Sequence, residues 1–88
     1  MANNGSKEFD YVVGLDIGTS KVACIVGKYI DQYSIEIVSM GSYPSSGLKK
    51  GVVVNIDATT DAIKKSIDQA QASFDEKIKN AYVGVAGS

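Results

Sequence analysis

The residues best suited to chemistry lie together near the start of the chain, in Gly14-Leu15-Asp16-Ile17-Gly18-Thr19-Ser20-Lys21. A carboxylate closes an apolar run, and a glycine and two hydroxyl residues follow it. Successive backbone N–H groups in such a turn form a concavity of positive potential that binds anions, and a glycine lets a ligand come close to the main chain. Thr19 and Ser20 add hydroxyl donors. Strand alternation sets Asp16 on one face with Val12 and Gly14, and Val13, Leu15 and Ile17 on the other. An acid beside a phosphate requires a cation between them. Mg²⁺ suits, because it takes one or two carboxylates plus phosphate oxygens and keeps several waters. The plainer alternative is a simple hairpin turn, since Asp, Gly, Thr and Ser favour turns everywhere. An ionised carboxylate closing a hydrophobic strand is costly unless compensated, which favours the phosphate reading.

The rest of the composition removes other chemistries. The 88 residues contain no histidine, so there is no imidazole base, no Ser-His-Asp triad and none of the commonest metal ligand. The lone Cys24 has no partner for a disulfide or a zinc pair, which fits a reducing compartment, and in an apolar strand it reads as a small buried hydrophobe. A net charge of −1 and the lack of arginine argue against nucleic acid. Neither a GxxxxGK-S/T phosphate loop nor a GxGxxG dinucleotide motif is present. No signal peptide or membrane-length apolar run is visible, and cytoplasm is the expected location.

The elements that must position the motif follow from the pattern around it. With 44% hydrophobic and 22% charged residues the chain can build a core, and its length limits it to one domain. Residues 1–9 read as a polar, disordered tail. Tyr11 to Ile17 reads as a strand covered on both faces, Gly18-Thr19-Ser20 as a turn, and Val22 to Tyr29 as a second strand. Ile30-Asp31-Gln32 reads as another turn, and Tyr33 to Tyr43 as a third strand of an antiparallel meander. Pro44 to Gly51 reads as a connecting loop. Asp57 or Thr59 is the expected cap of a helix whose apolar stripe is Ile63, Ile67, Ala70 and Phe74, with Asp61 and Lys65 paired one turn apart. Ala81 to Gly87 reads as a fourth strand, parallel to one of the meander through a right-handed crossover. One helix covers only one sheet face, so an apolar face should be bare, to be buried by another chain or by more of the same protein. Lys49 and Lys50 read as a solvated loop pair.

Strand, Asp-Ile-Gly-Thr-Ser, strand, strand, helix, strand resembles the first subdomain of the actin, heat-shock chaperone and sugar-kinase ATPase superfamily. That resemblance implies an α/β fold of ribonuclease H-like, actin-like type, with residues 10–88 forming an incomplete N-terminal part of the ATPase subdomain. Within the superfamily, the run Gly41 to Ile56 and the closing Gly84-Val85-Ala86-Gly87-Ser88 look like the FtsA family of bacterial actin homologues. The resemblance implies ATP with Mg²⁺ as cofactors. It places Asp16, Gly18, Thr19 and Ser20 in the phosphate loop, with Asp16 near the metal and its waters. Lys21 falls at the loop's end, where it also reads as the start of the second strand. No catalytic residue is assigned within the chain, and hydrolysis by the whole protein would be weak at most. Self-polymerisation, the tubulin-like partner FtsZ and a C-terminal membrane helix at the cytoplasmic face would involve regions beyond Ser88. A pilus-assembly relative, PilM, and a sugar-kinase phosphotransferase share the same first loop and stand as alternatives.

Overall fold

The computed structural model describes residues 11–46, 48–49, 52–53 and 55–85. The expected tail, and the end of the last strand beyond Val85, lie outside them. β1 (Tyr11–Ile17) pairs antiparallel with β2 (Lys21–Asp31), Ile17 facing Val22 and Tyr11 facing Lys28. β2 pairs antiparallel with β3 (Ser34–Pro44), with register shifts at Val26/Gly27 and Tyr29/Asp31. A small hairpin, β4 (Leu48–Lys49) and β5 (Val52–Val53), leads to α1 (Ile56–Ala72). β6 (Tyr82–Val85) then lies parallel to β1, giving the order β3-β2-β1-β6. The meander, helix and parallel strand are those expected from the sequence.

Three local expectations are corrected. The second turn falls at Gln32–Tyr33, because the Asp31 carboxylate accepts the Tyr33 N–H at 2.8 Å and so ends the strand two residues later. The connection after Pro44 is not plain loop, since Leu48 pairs with Val53 and Lys49 with Val52. Asn55, rather than Asp57 or Thr59, caps α1. Its side-chain oxygen accepts the Ala58 N–H at 2.9 Å, and its carbonyl accepts the Thr59 hydroxyl at 3.0 Å.

The buried line of α1 is Thr59, Ala62, Ser66 and Ala70: Ala70 is as expected, while Ala62 and Ser66 take the places of Ile63 and Ile67. Ile63 and Ile67 flank it, and Phe74 lies beyond the helix, its ring 4.9 Å from that of Tyr11 in an edge-on contact. Close approach explains the shift. A Cβ on Gly41 of β3 would collide with the Ser66 carbonyl and stand 2.6 Å from Gln69 Cβ, so only small residues fit between helix and sheet there. Below them Val13, Leu15, Ile17, Val22, Cys24 and Val26 form the core, as their alternation requires. The Asp61–Lys65 pair is present at 3.2 Å, on the exposed face. The chain leaving α1 is tied down by Gln71, whose amide donates to the Phe74 and Glu76 carbonyls and accepts the Ile78 N–H.

α1 packs on β2 and β3, so the opposite sheet face is uncovered and β6 is uncovered on both sides. Met40, Ile25, Gly14 and Tyr82 form one cross-strand row on that open face, with Met40 62% and Tyr82 78% exposed. Val83 and Val85, on the helix side of β6, are 60% and 54% exposed. Among the described residues no helix is long and apolar enough to cross a membrane.

Candidate functional site

The β1–β2 hairpin brings Asp16, Gly18, Thr19, Ser20 and Lys21 together at the C-terminal end of β1. Gly18 N–H donates to the Lys21 carbonyl at 2.9 Å, which leaves Thr19 and Ser20 as an exposed two-residue tip. A Cβ on Gly18 would stand 3.0 Å from that same carbonyl oxygen, tighter than ordinary contact. Gly18 therefore lets the hairpin close, and its N–H is committed there rather than offered to a ligand. Among the described residues the N–H groups of Thr19 and Ser20 are not committed in this way. Ser45, just past β3, donates its N–H to the Ser20 carbonyl at 2.9 Å. Lys21 is exposed and opens β2 opposite Pro44.

Asp16 sits on the open sheet face, where alternation places it with Gly14. Across the sheet it pairs with Ala23 of β2 on one side and Gly84 of β6 on the other. Its carboxylate is thus surrounded by Gly14, Ala23 and Gly84, and a Cβ added at either glycine would meet nothing within 4 Å. The result is a flat, unobstructed floor with one carboxylate rising from it and a hydroxyl-bearing tip at its end. Lys21 shares this face by alternation along β2. Asp16 is exposed on the open face rather than desolvated, contrary to the expectation of a costly buried charge. The ion pairs among the described residues, Lys28–Glu76 and Asp61–Lys65, involve neither Asp16 nor Lys21.

Gly84 and Ala23 border Asp16, a placement that the motif did not reveal. The only signal for Gly84 is a glycine inside a strand, a common mark of close approach by another group. The donor set fits a hydrated Mg²⁺ bound mainly through phosphate. Among the described residues no cluster of three acidic, thiol or imidazole ligands exists, and one carboxylate is enough for that ion when phosphate oxygens and waters complete its shell. Cys24 is buried, and burial raises its pKa, which suits packing rather than nucleophilic chemistry. A cavity of about 710 Å³ lies elsewhere, lined by Tyr11, Tyr29, Asp31, Asn80 and Tyr82 at the opposite end of β1. Its lining reaches Val13 and Tyr82 but includes neither Asp16 nor the hairpin tip.

No family model matches the chain. Three curated relatives carry the name cell division protein FtsA. The protein of Pseudomonas aeruginosa is 51% identical over 77 residues, covering 88% of this chain and 18% of that protein. That of Neisseria meningitidis is 45% identical over 78 residues, covering 89% and 19%. That of Bacillus subtilis is 46% identical over 76 residues, covering 86% and 17%. The chain therefore spans less than a fifth of the length of these relatives. Among solved structures, a glycerol dehydratase reactivase, a protein of actin-like ATPase fold, superposes with a TM-score of 0.60 at 14% identity, over 89% of this chain and 12% of that one. This likeness shows the fold. The comparisons do not favour the pilus-assembly or sugar-kinase alternatives. Over the segment that it spans, the chain matches the FtsA cell-division proteins at 45–51% identity.

Proposed function

We propose that this segment supplies the first phosphate-binding hairpin of an FtsA-type cell-division protein, and that the full-length protein binds Mg-ATP. One observation carries the reading: Asp16 stands free on a floor of Gly14, Ala23 and Gly84, beside a tip whose Thr19 and Ser20 donors are exposed. Bound Mg²⁺ would neutralise phosphate charge there. Asp16 would hold it, through its waters, while Thr19 and Ser20 bond phosphate oxygens and Gly18 shapes the tip between them. Lys21 would add positive charge at the rim. Residues 10–88 would then be the incomplete N-terminal part of an actin-like subdomain, with the facing wall of the nucleotide pocket contributed by another part of the protein.

In the same reading the full-length protein polymerises, binds FtsZ and joins the cytoplasmic membrane face at the septum through regions outside this segment. Asp16→Ala in the full-length protein tests the core of the proposal. Mg-ATP affinity should fall at least about tenfold, because a metal partner is removed, while stability changes by no more than about 0.5 kcal/mol, as for an exposed residue with no ion pair among the described residues. Titration calorimetry and thermal melting read the two. Unaltered nucleotide binding with a clear loss of thermal stability would make Asp16 a structural turn residue.

A further inference from the structure

The Thr19–Ser20 tip is strapped on both sides. On the β1 side, Gly18 N–H bonds the Lys21 carbonyl at 2.9 Å. On the other, β3 runs on to Pro44, opposite Lys21, and the next residue, Ser45, reaches past that last rung to donate its N–H to the Ser20 carbonyl at 2.9 Å. Ser45 is half-buried, whereas Thr19 and Ser20 are exposed, so the anchor is better ordered by its surroundings than the group it holds. Fixing the Ser20 carbonyl also fixes the plane of the Ser20–Lys21 peptide. A free tip would have to be ordered by its ligand, and that ordering would be subtracted from affinity.

We propose that Ser45 is a positioning residue for anion binding. Its backbone N–H holds the tip in one arrangement, so that the Thr19 and Ser20 donors are set before a phosphate arrives. This rests on the nucleotide reading given above and adds to it a residue outside the motif.

The test uses the full-length protein and Mg-ATP, with affinity from titration calorimetry and stability from thermal melting. Ser45→Pro removes the N–H, Ser45→Ala keeps it, and an amide-to-ester replacement at residue 45, introduced by ligation, deletes the N–H alone. Loss of one preorganising hydrogen bond should raise Kd about tenfold in the proline and ester proteins, and by more than in the alanine protein, which keeps the N–H. If the proline protein does not fold, the ester protein decides. An ester protein with a lower Tm but wild-type Kd would make the contact merely structural and overturn the proposal. A wild-type protein that binds no Mg-ATP would overturn the nucleotide reading itself, and this inference with it.

Discussion

Asp16 owes its freedom to the small residues around it. Strand alternation was enough to set it apart from the buried Val13, Leu15 and Ile17, and that much was legible from the chain. Its pairing with Gly84 was not, because the two are distant in sequence and meet only through the parallel β1–β6 register. Gly84→Val separates the site from the fold. A Cβ there meets nothing within 4 Å, and valine suits a strand, so the structure should tolerate it. The branched side chain would nevertheless stand on the floor beside Asp16. Mg-ATP affinity of the full-length protein should fall by about tenfold or more, with stability held within about 1 kcal/mol. Wild-type affinity in that variant would remove Gly84 from the site. Cys24 gives a second residue-level expectation, one of pH. Burial raises its folded pKa above the ordinary 9.0 of the unfolded thiol. A raised acid pKa stabilises the fold fully below the unfolded value and loses that contribution as pH climbs through the folded one. Denaturant midpoints should therefore fall more steeply above pH 9 than those of Cys24→Ala, which lacks the group. Parallel curves would show that the thiol does not titrate differently on folding.

At the scale of elements, α1 meets the sheet partly through smaller residues than its apolar pattern suggests. Ile63, Ile67, Ala70 and Phe74 are the apolar residues at helical spacing, and weighting by size points the helix face at them. Ala70 and Phe74 are buried as expected, but Thr59, Ala62 and Ser66 complete the contact while Ile63 and Ile67 pack at its edge, because β3 presents Ser39 and Gly41 and the two backbones come close. Ser39 donates its hydroxyl to the Ala70 carbonyl, which tightens the same contact. Periodicity reports which residues are greasy; it does not report which partner surface is smooth. The strands of the four-stranded sheet, unlike the short β4–β5 hairpin, were legible nearly to their ends, since β-branched runs and turn residues mark their limits. Gly41→Ala tests the close approach directly. The added methyl would fall against the Ser66 carbonyl and within 2.8 Å of the Ala70 nitrogen, both backbone atoms of a helix that cannot yield locally. Overpacking of this kind costs roughly 1–3 kcal/mol. Chemical denaturation should show that loss with an unchanged m-value, and a variant as stable as the parent would mean that α1 rides higher on the sheet than described.

For the whole molecule, the decisive feature is how little of the sheet one helix covers. α1 shields β2 and β3, while the row Met40, Ile25, Gly14, Tyr82 faces outward and Val83 and Val85 are open on the helix side of β6. An apolar face beyond several hundred Å² is unusual on a stable monomer and marks a missing partner surface or an aggregation hazard. The relatives supply a candidate cover, being more than five times as long as the matched segment. On that argument residues 1–88 by themselves should bind the dye ANS, associate at micromolar concentration and show no ATP binding by calorimetry, since only one wall of the pocket is present. Mixing them with the remaining polypeptide of a full-length FtsA-type protein should quench the dye signal, raise the melting temperature and bring nucleotide binding back together. The three changes would belong to one event, because the surface proposed to bury the bare face would also close the site above Asp16. A fragment that is monomeric, melts cooperatively and ignores ANS would be a self-contained domain, and the open floor around Asp16 would then have to be explained without a second wall.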